Sequence, residues 1–447
     1  MTGDVEAPVT PRRVGAVFGA LLVPSFVALG APSVALPAIA RSLQVPFGAS
    51  SWVLASWALS TAVAMPLFGR ISARVGLRVC LITGVGLLVA GSIVAALAPD
   101  LVVVIIGRAV GGIGAGALVI SSYATVTARL DGADRARALG IVAATGATAS
   151  ACGTLLGGLL TAWPGWRAVV ALPALAVLAL IPAARLAPAQ RRPDTRIDLR
   201  GALLLTLVGG AVVVLLQASS TGLPLTVVLA LAVLTVIAAF TLVVHVRRDP
   251  DGFVPRKILG APYFVVTGVI GLTVFAAYYA TLFAAPALIG SATRWSTPLI
   301  GAALLPCAAF SILGVRLVRA LAHRSSITVV AITLGGVSTA GVLLAALLPT
   351  VAVFSVLGLA LTTAAFAAGQ TVLFGLVPSL IDHDQQDNAQ GLLDFLIYGG
   401  SSVGPALVGG LSAELPLADA LAVAAVLPLI AIAAALLARR LAPVGAF

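Results

Sequence analysis

Two charged side chains lie inside long apolar stretches, and they mark where chemistry is to be sought. Arg108 is the one charge between positions 101 and 126, and Asp394 is the one charge between 388 and 412. If these stretches cross a bilayer, a guanidinium there costs about 2.5 to 3.5 kcal/mol on insertion scales and needs a polar or watery neighbour. Arg108 is therefore expected to face the protein interior. It acts there either as a structural group bonded to backbone carbonyls of the first helix or as a substrate-binding or coupling residue. Asp394 falls about 10 Å beyond the start of its helix at 1.5 Å per residue. It is placed to carry a proton, or to serve a gate or a cap near the cytoplasmic end. Other familiar chemistry finds no support. Cys80, Cys152 and Cys307 are far apart within apolar segments, without disulfide or metal spacing, and read as small core residues. Gly112, Gly114 and Gly116 sit inside a span with no strand before them, which excludes a phosphate loop and argues against ATP as the energy source. His245, His323 and His383 lie in or beside loops and join no nucleophile or metal-ligand set, so no catalytic residues and no cofactor are expected.

The elements that must position these groups follow from composition. The 447 residues are 60% hydrophobic and 9% charged, where a soluble domain carries roughly 25% charge. So few charges cannot coat a water-exposed surface, whereas a bilayer demands polarity only at loops and ends. With about 20 apolar residues needed per crossing, fourteen segments are expected. They run over 14–38, 49–69, 78–97, 101–126, 137–161, 166–184, 200–219, 224–246, 262–287, 297–319, 327–348, 351–376, 388–412 and 416–438. The N-terminal stretch lacks a small-residue cleavage site after a short apolar region and reads as a retained first helix.

The net charge of +11 suggests phosphate binding at first sight. The arginines instead cluster in short loops without interleaved aromatics, as the positive-inside rule requires, so no nucleic-acid partner is expected. Placing both termini in the cytoplasm puts all but four of the 26 Lys and Arg residues at cytoplasmic ends or loops. The four are Arg41, Arg167 and Arg294 outside and Arg108 within a span.

The chain also repeats. Arg137-Ala138-Leu139-Gly140 opens the fifth segment, which continues to Gly157-Gly158; Asn388-Ala389-Gln390-Gly391 opens the thirteenth, which continues to Gly409-Gly410. Gly69 precedes Arg74, and Gly314 precedes Arg319, by the same interval after the second and tenth segments. Two similar halves are expected, rocking around a central cavity. The ranges are a tail at 1–13, a six-helix half at 14–184, two linker helices with flanking loops at 185–261, a second six-helix half at 262–438 and a tail at 439–447.

The stretch Ser51-Trp52-Val53-Leu54-Ala55-Ser56-Trp57-Ala58-Leu59, followed by Pro66-Leu67-Phe68-Gly69-Arg70-Ile71-Ser72-Ala73-Arg74-Val75-Gly76-Leu77-Arg78, resembles the second helix and following loop of the fourteen-helix drug:proton antiporter branch of the major facilitator superfamily. Val34-Ala35-Leu36-Pro37, Arg108 with Gly111, Gly112 and Gly116, the glycine-rich fifth segment, Trp166-Arg167, and Asp198 with Gly201 extend the resemblance over nearly the whole chain. It implies an all-α integral membrane protein of the major-facilitator type, with two six-helix halves and two helices between them. It implies that Gly69, Arg70, Arg74, Gly76 and Arg78 serve the gate. Gly146, Gly153, Gly157 and Gly158 would seal one face of the cavity by close packing, which also accounts for Gly140, Gly399, Gly400, Gly404, Gly409 and Gly410. On helices that line the cavity in this superfamily, Trp57, Tyr123, Tyr278, Tyr279, Gln370 and Tyr398 are candidate substrate contacts, or equally packing and interface anchors.

Three departures qualify the resemblance. Ala73 stands where the family loop carries an acid, the first segment has no ionisable residue between Phe26 and Ser33, and Gly153-Thr154 replaces the family's Gly-Pro. The expected function is proton-coupled export of small amphipathic molecules from a bacterial-type inner membrane by a monomer working with substrate, protons and lipid. Lipid or glycolipid movement and facilitated uptake are the alternatives in the same class, and a non-transporting membrane sensor the one outside it.

Overall fold

The computed structural model describes residues 10–188, 198–249, 262–322, 327–380 and 386–441. Among them every regular element is helical. The first half consists of α1 (Pro11–Leu43), α2 (Trp52–Val75), α3 (Leu77–Ala96), α4 (Leu101–Arg129), α5 (Gly132–Ala162), α6 (Trp166–Ala171) and α7 (Leu180–Leu186). Next come α8 (Leu199–Leu216), a single turn α9 (Ala218–Thr221) and α10 (Leu225–Arg248). The second half is α11 (Pro262–Thr293), α12 (Thr297–Leu304), α13 (Cys307–Ala322), α14 (Ile327–Leu347), α15 (Ala352–Leu380), α16 (Gln386–Leu411), α17 (Leu417–Val423) and α18 (Val426–Leu441).

Local chemistry explains where these helices start and break. Asp100 accepts the Val103 amide at 2.9 Å to cap α4, and Thr10 accepts the Arg13 amide at 3.4 Å to cap α1, satisfying donors that a helix start leaves unpaired. Gly76 ends α2 at φ 98°, a conformation that favours a residue without a Cβ. The sixth, tenth and fourteenth expected segments are interrupted helices. A 3₁₀ stretch, Leu172–Ala179, begins at Pro173; α12 and α13 part at Pro306; α17 and α18 part just before Pro428. Proline removes the amide that would continue the ladder and crowds the preceding turn.

Twelve helical stretches among the described residues are long and apolar enough to cross a membrane, with a thirteenth if the 41° bent pair Gly132–Ser150 and Cys152–Ala162 is one span. Arg200–Leu216 is apolar but shorter. Side chains such as Ile82, Val102, Leu178, Leu229 and Phe240 are exposed around the bundle, which only a hydrocarbon surround tolerates on this scale. None of the most apolar stretch of α10 is buried, against 78% of the corresponding stretch of α11. Thus α10 lies at the periphery and α11 at the centre.

The pairing of helices repeats between halves. α1 packs on α5 as α11 packs on α16; α3 and α2 pack on α4 as α14 and α13 pack on α15. Glycines make these approaches. A Cβ at Gly157 would meet the backbone of Ala31, and one at Gly404 the backbone of Ala276; Gly91 lies against Gly107 and Gly111, as Gly341 lies against Gly358. Gly146 receives the Phe26 ring, while Gly153 makes ordinary contacts with α1. Gly140 and Gly399 correct the expectation that close packing accounts for the whole set, because each has open space where a side chain would go.

The halves meet at both ends of the bundle: Gly391 at the start of α16 packs on Pro66 of α2 at one end, and small residues make close approaches at the other. Gly48, just before α2, meets Gly409 near the end of α16, and Gly158 near the end of α5 meets Thr297 at the start of α12. Thr154 donates to the Gly301 carbonyl at 3.4 Å beside them. Val53, Phe283, Val408 and Leu421 form part of one apolar cluster there.

Candidate functional site

Arg108 is held in the first half by three helices. Its Nε donates to the Val53 carbonyl of α2 at 2.9 Å, and Nη2 donates to the Ala28 carbonyl of α1 at 3.0 Å. The guanidinium lies 4.1 Å from the centroid of the Trp57 ring, so its face meets a π cloud that attracts cations. The side chain is 1% exposed, and Nη1 has no hydrogen-bond partner among the described residues. The approach depends on small residues: Gly111 packs on Trp57, and the Gly112 carbonyl accepts from Thr61 at 3.1 Å. Carbonyls of two neighbouring helices, α1 and α2, thus accept from this guanidinium.

Asp394 occupies a different depth. It is buried at 5% exposure on α16, two helical turns in from Gln386, beyond the amides that a capping residue reaches. Tyr398, one turn further along α16, and Tyr123 of α4 pack against one apolar cluster. Tyr123 is about 22 Å further along α4 than Arg108 at 1.5 Å per residue. The two charges therefore belong to opposite thirds of the bundle and do not form one site.

Between them lies an aromatic cluster in the second half. Tyr278 stacks on Phe366 at 4.4 Å between centroids and meets Tyr279 edge-on at 4.9 Å, while Phe275 is 4.4 Å from Phe366. Such pairs combine large apolar area with directional preferences. Gln370 is half-buried one turn beyond Phe366 on α15. Of the sequence candidates, then, Trp57 joins Arg108, Tyr123 and Tyr398 join Asp394, and Tyr278 joins Tyr279.

One wall was not legible beforehand. A groove of about 500 Å³ runs between α1 and α5, bordered by Val23, Val27, Ala144, Thr145, Thr148 and Cys152, with Leu156 at one end. Thr145 and Thr148 donate to the carbonyls of Ile141 and Ala144 at 2.8 and 2.9 Å, leaving their oxygens to the groove as acceptors. Cys152, expected in the core, is half-buried on this wall, whereas Cys80 and Cys307 are buried as expected. The signal was present in the spacing 145, 148, 152, which puts all three on one helical face.

At the arginine-rich end, Arg74 and Arg78 are exposed, and Arg70 at the end of α2 lies in the field of Asp198 and Asp249. His245, expected to join no constellation, contacts both carboxylate oxygens of Asp198 through Nε2, at 2.9 and 3.0 Å. Ligand atoms of Asp198, His245 and Asp249 all lie within 4.8 Å of one another. His323, His383 and the side chain of Arg319 lie outside the described residues.

The chain is 32% identical over 265 residues to the puromycin resistance protein pur8 of Streptomyces alboniger, covering 55% of this chain and 52% of that one. It is 35% identical over 184 residues to the multidrug resistance protein Stp of Mycobacterium tuberculosis, covering 40% and 34%. The methylenomycin A resistance protein of Bacillus subtilis is 26% identical over 295 residues, covering 65% and 63%. The chain thus spans about half the length, or less, of the first two. In fold it is similar to a POT family transporter crystallised with 5-aminolevulinic acid, with a TM-score of 0.69 at 12% identity over 97% of this chain and 96% of that one. The family profile described as Major Facilitator Superfamily matches residues 18–405. With apolar helices and paired halves among the described residues, the chain belongs to the Major Facilitator Superfamily and is a multi-pass membrane transporter of that family.

Proposed function

We propose that this transporter is a proton-coupled exporter of small amphipathic molecules, of the fourteen-span branch, working as a monomer by alternating access. The observation that carries the reading is the division of labour inside the bundle. One buried acid on α16 is available for proton traffic, one buried arginine lies at the far depth, and aromatic rings and an apolar groove with hydroxyl oxygens lie between or beside them. A mostly apolar pocket with few polar groups suits ligands of mixed character. The names of the relatives, resistance to puromycin and to methylenomycin A among them, support export. Short Arg200–Leu216 can cross as a fourteenth span if the bilayer thins locally.

Everted membrane vesicles energised by a proton gradient and offered puromycin or ethidium test this reading. Accumulation that requires the chain and collapses with a protonophore is the expected result. Accumulation that survives the protonophore and stops at the external concentration would replace active export by facilitated diffusion.

Orientation belongs to the same proposal. The Lys and Arg distribution supports cytoplasmic termini in an inner membrane, because inversion would carry the main arginine clusters across. A phosphatase fused after Arg440 should be inactive, and a fluorescent protein fused there should fluoresce. An active phosphatase overturns this topology, through either the orientation or the even number of spans.

A further inference from the structure

At the end of the bundle where Gly48 meets Gly409, three segments of the chain touch one another in pairs. The 3₁₀ turn Phe47–Ser51 leads into α2 and belongs to the first half, Gln217 follows the last residue of α8, and Gly409 and Gly410 lie near the end of α16. Ser51 donates to Gln217 Oε1 at 2.6 Å, which joins the first half to the linker. A Cβ at Gly410 would meet the Leu216 carbonyl and the Gln217 Cα, so the linker also lies backbone-close on the second half. A Cβ at Gly409 would meet the Ser51 hydroxyl and the Gly48 carbonyl, which closes the triangle. Adjacent glycines of α16 thus receive two different neighbours, and only a residue without a Cβ admits both.

One turn further in, the same three segments bury Ala55 of α2, Val213 of α8 and Ala406 of α16 against one another. Phe47 stacks on Phe283 of α11 beside them, at 5.0 Å between centroids. Ser51 and Gln217 are both 0% exposed. Two buried donors nearby stay unmade: Gln217 Nε2 and Trp52 Nε1 have no hydrogen-bond partner among the described residues. An unmet buried N–H disfavours the arrangement that buries it, and water reaching this end would satisfy both groups. The triangle therefore holds the halves together here while two orphan donors oppose it, the kind of bistable interface that loss of a single contact can tip.

We propose that the end of α8 is the third member of the closure at this end of the bundle, holding the halves together through Ser51 on one side and Gly410 on the other. Gln217 is in this sense a positioning residue: it fixes the Ser51 hydroxyl, whose oxygen lies against Gly409. When the halves part here, the linker cannot stay on both. Either the Ser51 bond or the Gly410 contact must then be lost, together with the contact between Gly409 and Ser51. The inference rests on the alternating-access reading, since it requires this end to open during the cycle.

Nitroxides at Ser42, Thr221 and Glu414, all exposed, report in pairs on the first half, the linker and the second half. They are read in the purified full-length protein in lipid nanodiscs without substrate. Ser51→Ala removes the donor, and Gly410→Ala adds the smallest side chain that displaces the Leu216 carbonyl. Each should raise the share of long Ser42–Glu414 distances at least about twofold over the wild type, as parted halves become populated. Gly399 belongs to the same helix and faces open space, so Gly399→Ala should leave the distribution unchanged. A wild-type Ser42–Glu414 distribution in either Ser51→Ala or Gly410→Ala overturns the proposal, even where Thr221–Glu414 lengthens, because the linker would then move without parting the halves. An equal rise in Gly399→Ala overturns it too. Ser51→Ala removes one oxygen and little packing, and it decides the question alone should Gly410→Ala fail to fold. The distances involve no transport, so their outcome is separate from that of the vesicle assay that tests export.

Discussion

Arg108→Ala is expected to abolish transport while the protein still inserts and remains folded. The guanidinium is fully enclosed, donates to Val53 and Ala28 carbonyls at 2.9 and 3.0 Å, and lies over Trp57. Two of its nitrogens hold α1 and α2 in register with α4, and Nη1 remains without a partner among the described residues. A buried N–H of a permanent cation is costly to leave unmade, on the order of 1–3 kcal/mol or more, so a substrate or water oxygen is expected to meet it at some stage of the cycle. Removing the group also removes the penalty of burying its charge, which is why misfolding is not the expected route to inactivity. Arg108→Lys tests the directional part. Lys keeps the charge but lacks the planar fork that reaches two carbonyls at once. The loss of one hydrogen bond to a charged group, about 1.5–3 kcal/mol, corresponds to a rate lower by roughly one to two orders of magnitude. Expression, substrate binding and transport in proteoliposomes distinguish the cases. Normal transport by Arg108→Ala would leave the residue with a packing role only. Normal binding with lost transport would assign it to the conformational cycle instead of substrate contact.

Asp394→Asn should remove uphill accumulation by at least about tenfold while a transported compound still equilibrates down its gradient. The acid is buried beside Tyr123 and Tyr398, and it is the carboxylate that the described spans place deep on a central helix. Asn preserves size and hydrogen bonding but carries no exchangeable charge, so it separates proton coupling from packing. Asp394→Glu should retain part of the coupling, because the titrating group survives at a displaced position. A wild-type gradient in Asp394→Asn would assign coupling to another group or to the substrate's own charge.

Much of this was legible because hydrocarbon is an unforgiving solvent. Backbone polar groups must be satisfied inside each crossing, so apolar runs of span length translate directly into helices. The positions of Arg108 and Asp394 as lone charges in such runs identified them as interior groups, and both are buried. Pro173, Pro306 and Pro428 lie at or beside helix interruptions, where proline's local effect divides segments that hydropathy reads as single spans. The bend in α5, where Ser150 and Cys152 flank the break, has no proline to announce it. Gly157 lies against the Ala31 backbone and Gly158 against Thr297, whereas Gly140 and Gly399 face open space, because residue type states what is permitted and not what neighbour arrives.

By itself the amino-acid order determined that the protein is helical and membrane-embedded, that its two halves echo one another, and that two charges lie within spans. These properties are local, since hydropathy and proline act within a turn or a window of about 20 residues. Only the tertiary structure decided which groups meet. It separated Arg108 from Asp394 by depth, stacked Tyr278 on Phe366, and opened a groove at Thr145, Thr148 and Cys152. It also brought His245 of α10 onto the Asp198 carboxylate that caps α8. Contacts between residues far apart in sequence depend on how helices cross and rotate about their axes, and lipid-facing and interior-facing positions are equally apolar in a membrane protein, so periodicity alone does not reveal that rotation.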